Sequence, residues 1–167
     1  IDFFADVPLV FRTSILLGGI VLFWILEGII PLYSFNYKKG RHAFLNLLFT
    51  TTTAIIGFGF AFLLLKSTEI VNEFQFGVIH FFELPLFVEV IISLLILDLV
   101  GAYLVHFVEH KVPWMWKFHV IHHSDKNVDV TTGLRHHPGE TVFRILFTIL
   151  GVYVSGASIG IVMLYQS

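Results

Sequence analysis

Four stretches of this 167-residue chain are each apolar over about the length of helix that crosses a bilayer, and nothing else in the sequence limits the possible folds as much. A hydrocarbon core about 30 Å thick takes roughly 20 residues of helix at about 1.5 Å each. Such runs lie at about 8–32, 43–65, 85–105 and 141–165. None alternates with period two, so helices are expected rather than strands. Composition agrees: 56% of residues are hydrophobic and 13% charged, with a mean hydropathy of +0.86. A water-facing surface would carry about twice that share of charge. The expected fold is an all-α integral membrane protein, a single domain over 1–167 with four transmembrane helices. The polar segment 106–140 lies between helices 3 and 4. The first stretch does not read as a signal peptide, because Asp2 and Asp6 stand where a basic n-region belongs and the apolar run is too long.

The chain has no Cys, which removes disulfides, thiolate metal sites and cysteine nucleophiles together. A net charge of −2 gives no field for nucleic acid, and none is expected as a partner. Loops one and three hold most of the basic residues (Lys38, Lys39, Arg41; then Lys111, Lys117, Lys126, Arg135), while the second loop holds Lys66 against Glu69, Glu73 and Glu83. The bias of Lys and Arg toward the inside puts loops one and three in the cytoplasm, in a bacterial inner membrane or the endoplasmic reticulum. Glu27 and Glu89 lie near span ends and read as snorkelling or capping carboxylates. Asp98 lies deep in span three and calls for a specific explanation.

Seven of the nine His fall between 106 and 137. His106 and His110 are four apart, and His119, His122 and His123 stand at i, i+3 and i+4, so each set shares one helical face. Neutral imidazole is the commonest metal ligand, and two such faces joined by a short linker can wrap an ion from two sides. The linker 111–117 contains Pro113, which ends the preceding helix, and Trp114 and Trp116, which suit the headgroup level. His42 and His80 stand alone and read as packed or solvated side chains. By donor type alone the metal could be Fe, Zn, Cu or Ni. The string His106-Phe107-Val108-Glu109-His110 also fits the inverted zinc-protease pattern HxxEH, but five or six imidazoles compete there for the metal. A His-rich membrane metal transporter is the other alternative. It would need ionisable residues along a path through the bundle, and only Asp98 lies deep.

The run His106-x3-His110, then 112–124 (VPWMWKFHVIHHS), then 129–140 (DVTTGLRHHPGE), resembles the fatty acid hydroxylase/sterol desaturase superfamily of integral-membrane di-iron oxygenases. The resemblance covers about 85–140. It implies two irons, O2 as co-substrate, electrons from a reductase or cytochrome, and hydroxylation or desaturation of unactivated C–H bonds of a lipid. It implies metal ligation by His106, His110, His119, His122 and His123. It also places Arg135, His137, Pro138 and Glu140 on an R-x-H-P-x-E string, with His137 rather than His136 as the ligand. Asp98 resembles an acidic residue about two turns before the first box, whose role would be to orient a ligating His. Phe107 stands where many members carry Arg. The family's final H-x2-H-H box has no counterpart before Ser167. The chain is therefore expected to be C-terminally incomplete, and inactive or metal-poor on its own.

Overall fold

The computed structural model describes residues 8–31 and 37–166, and all the regular structure among them is helical. Asp2, Asp6, Leu32 and part of the first loop lie outside the described residues. Helix α1 (Leu9–Ile29) stops at Ile30, which the following Pro31 disfavours in the helical region and which stands at φ −125°, ψ 68°. Helix α2 (Lys39–Glu73) is followed by a short 3₁₀ turn (Val78–Phe81), then α3 (Leu86–Asp98), which continues through a π turn (Leu99–Leu104) into α4 (Val105–Lys111). Helix α5 (Pro113–His123) starts after a bend at Val112. A second 3₁₀ turn (Val130–Leu134), α6 (Pro138–Ser155) and α7 (Ile159–Tyr165) complete the order.

Among the described residues two helical stretches, not the four expected, are long and apolar enough to cross a bilayer: Lys39–Phe81 and Leu86–Lys111. The apolar part of α1, Thr13–Ile29, spans about 26 Å at the helical rise, short of the hydrocarbon thickness. The fourth expected span is interrupted. Gly156 adopts a left-handed conformation (φ 86°) just past α6 and returns its N–H to the Val152 carbonyl, which stops the helix. Gly77 (φ 108°) is pressed against it, and a Cβ on Gly77 would lie 2.3 Å from the Gly156 nitrogen. The turn brings Ile161 and Val162 back onto a core with Val71, Leu97, Val152 and Ala157. Continuity also differs from expectation in α2, which runs past residue 65 to Glu73. Ser67 and Thr68 keep their hydroxyls on the Leu63 and Leu65 carbonyls, so no polar group there ends the helix.

The π turn sets the register of the chain's chemistry. In an unbroken helix Asp98 and His106, eight residues apart, would lie about 80° apart around the axis at about 100° per residue. A π turn absorbs one extra residue and cuts that to about 20°. Asp98 and His106 accordingly line one cavity. Helix α6 packs against α2, α3 and the π turn, so the centre of the bundle sits beside this register shift.

Candidate metal centre

Val112 precedes Pro113 and is extended (φ −96°, ψ 113°), which ends α4, while Pro113 opens α5 at its first position. The bend folds α5 back on α4, so the i,i+4 faces of the two helices meet. His106 and His110 come from one side, His119 and His123 from the other, and one ring nitrogen of each lies within 4.8 Å of all the rest. The Nε2 atoms stand 3.1 Å apart between His110 and His106, 3.2 Å between His123 and His110, and 3.0 Å between His123 and His119. His119 is fully buried; His110 and His123 are exposed.

Hydrogen bonding alone does not satisfy this arrangement. A ring nitrogen carries either one N–H or one lone pair, so four of them can form at most two bonds among themselves. Three short contacts are present. One cation accepting all four lone pairs resolves the conflict. Nitrogens about 2.1 Å from a common ion stand about 3.0–3.4 Å apart at angles of 90–110°, and the three short neighbour spacings fall in that range. The donor set is entirely imidazole, which suits Fe, Zn, Cu or Ni and not Ca or Mg.

His122 and His137, also expected as ligands, stand apart from this group. The His122 ring stacks on His136 at 4.9 Å and 6°, with its Nδ1 buried and unpartnered among the described residues. Nδ1 of His137 accepts the Gly139 N–H at 2.9 Å and caps α6. Asp98 makes no hydrogen bond or ion pair to an imidazole among the described residues. It lines a cavity of about 570 Å³ with Tyr103, Phe107, His106, His110 and Arg144.

The sequence did not reveal the buried layer behind His119. Glu109 and Glu140 are both fully buried, with Arg144 beside them: its Nε donates to Glu140 Oε1 at 2.9 Å, and its Nη2 lies 3.6 Å from Glu109 Oε2. Burial pushes the His119 imidazole down to about 4. Burial alone would raise the Glu140 carboxyl, but His136 and Arg144 outweigh it and hold it at about 2. Glu109 is thus enclosed behind His119 rather than facing the point on which the four ring nitrogens converge, which is not the position of the base in an HxxEH protease.

His42 is the second histidine environment. Its Nε2 lies 2.8 Å from Asp125 and its Nδ1 3.1 Å from Asp129. Asp129 opens the second 3₁₀ turn in a capping box with Thr132. The Thr131 hydroxyl accepts from the buried Asn46 amide at 2.8 Å. Glu27 accepts the Val130 N–H from α1, and Arg135 donates to the Ile121 carbonyl at the end of α5. This network ties the 125–135 segment to α1, α2 and α5. His80, the other lone histidine, packs against the Gly156 turn.

Residues 90–167 match the fatty acid hydroxylase family, a stretch that contains all four converging histidines. The ornithine lipid hydroxylase OlsE of Rhizobium tropici is 24% identical over 164 residues, covering 93% of this chain and 48% of that protein. The chain therefore spans about half the length of the curated relative it matches. No solved structure matches it. Both matches support the fatty acid hydroxylase superfamily, the same one the histidine strings resemble.

Proposed function

We propose, starting from that superfamily, that the chain carries the iron-binding core of a membrane-bound, O2-dependent lipid hydroxylase. The observation that carries the reading is the convergence of four imidazole nitrogens with no carboxylate among them. Bound iron would supply O2 activation and the oxidising power to break an unactivated C–H bond. The remaining tasks fall to the protein. His106, His110, His119 and His123 hold the ion through Nε2, with His122 and His137 as further ligands where a second iron is present. Tyr103 and Phe107, stacked at 6.5 Å and 20°, give the adjoining cavity an apolar wall for an acyl chain. Trp116 packs beside His110 and His123 at 5.1 and 5.5 Å and stacks on the His123 ring.

The two apolar stretches Lys39–Phe81 and Leu86–Lys111 support a place in the membrane, and the loop charges support a cytoplasmic histidine cluster in a bacterial inner membrane or the endoplasmic reticulum. A reductase or cytochrome would deliver the electrons. The lipid is a fatty acid, sterol or related amphiphile, and the name of the Rhizobium relative makes an ornithine lipid the first to try. The test pairs metal analysis of the purified protein with mass spectrometry of lipid extracts from cells with and without the gene. Iron in the protein and a lipid gaining one oxygen are expected. A zinc-only protein with an unchanged lipid profile would overturn the reading.

A further inference from the structure

Behind His119, on the side away from the shared centre, the chain has built a charged layer inside an apolar bundle. Nδ1 of His119 lies 3.1 Å from Oε1 of Glu140 and 3.4 Å from Oε2 of Glu109, with all three side chains fully buried. Glu140 does not stand there loosely. Its Oε1 also receives Nε of Arg144 at 2.9 Å and Nδ1 of His136 at 2.8 Å, and the far nitrogen of His136 is held by the Gly133 carbonyl at 3.0 Å. Burying a carboxylate is costly unless it is paired, so this much partnering around one residue needs a reason.

His119 Nδ1 is buried and makes no other hydrogen bond among the described residues. The carboxylate 3.1 Å away, ion-paired to Arg144, can only accept, so a proton on the imidazole is favoured on Nδ1. A proton on Nδ1 leaves Nε2 with a lone pair, and Nε2 is the atom directed at His123 and the common centre. We infer that Glu140, held in place by Arg144 and His136, is a positioning residue that fixes His119 in its Nδ1–H tautomer and so presents Nε2 for ligation. Glu109 Oε2 stands 3.4 Å from the same nitrogen but, like Oε1, makes no hydrogen bond among the described residues. The purpose of this device rests on the metal-centre reading above, whereas the tautomer itself is measurable without any metal.

The test is nitrogen-15 NMR of histidine-labelled, metal-free full chain in nanodiscs, with the His119 signals assigned by their loss in His119→Gln. The native protein should show a protonated Nδ1 and an unprotonated Nε2 at His119. Glu140→Gln keeps a carbonyl acceptor and should keep that tautomer. Glu140→Ala should move the proton to Nε2 and weaken iron binding by about 10–100-fold, the usual cost of losing a partner behind a ligating histidine. A protonated Nε2 in the native chain, or an unmoved proton in Glu140→Ala, would overturn the inference. So would loss of the Nδ1 proton on adding iron, because the ion would then sit on the carboxylate side. The native measurement decides the matter even where Glu140→Ala fails to fold. A native protein that binds no iron yet shows the inferred tautomer would count against the proposed function and support this inference.

Discussion

His42 and the ring of His106, His110, His119 and His123 are built from the same side chain and end in opposite chemical situations. Around His42 each ring nitrogen faces a carboxylate, Asp125 at 2.8 Å and Asp129 at 3.1 Å, and the site is complete as it stands. In the four-histidine ring the nitrogens face one another at 3.0–3.2 Å, and their contacts outnumber the hydrogen bonds they can form. Partner chemistry, not residue type, separates a histidine that completes its own hydrogen bonding from one whose nitrogens are left facing other nitrogens. One site tethers the 125–135 segment to α2; the other has the donor set to hold a cation.

Mutations at the two sites sharpen that contrast, and the largest effect is expected in the ring. His119→Ala should lower iron affinity more than about 100-fold, since losing a ligand should exceed the usual cost of losing its supporting partner; metal analysis after dialysis against a chelator reads this. His42→Ala should leave iron in place but cost about 3 kcal/mol of stability, because it removes the group that bridges two carboxylates whose side chains are buried. Denaturation of the metal-free protein in detergent measures that loss. Loss of iron in His42→Ala with stability unchanged would erase the distinction. A smaller effect, about 1–2 kcal/mol, is expected for Thr131→Val, which leaves the buried Asn46 amide without its acceptor.

The smallest effect is one of pH. Burial works to raise the Asp125 and Asp129 carboxyls, but hydrogen bonds (from His42 and Thr132 to Asp125, from Thr131 and Tyr37 to Asp129) outweigh it, and both end below their ordinary 3.8. A carboxyl lowered in the folded state adds stability that is present above about pH 3.8 and is lost as pH falls below it. Asp125→Asn should therefore flatten the acid limb of the stability curve. An unchanged slope below pH 4 would show that the pair does not carry it.

The sequence exposed the four-histidine ring because both halves of it are local. Spacings of four within α4 and within α5, joined across Pro113, can be read without any tertiary knowledge. The partners of His42 lie 83 and 87 positions away, beyond the reach of any periodicity. Glu109 and Glu140 were visible only as letters in motifs, since their meeting at His119 depends on α6 packing against the bend. Expected span four failed for a different reason. Hydropathy summed over 141–165 runs straight across Gly156, whereas a single left-handed residue, locked against Gly77, divides the stretch in two. The π turn left no mark in composition, yet it sets whether Asp98 and His106 face the same cavity.

X-ray absorption at the iron edge of the purified, iron-loaded protein tests the central claim most directly. A first shell of nitrogen near 2.1 Å, with the outer-shell pattern of several imidazoles and loss of both in His119→Ala, is the predicted result. A first shell of oxygen alone, or the same spectrum from native protein and His119→Ala, would contradict it.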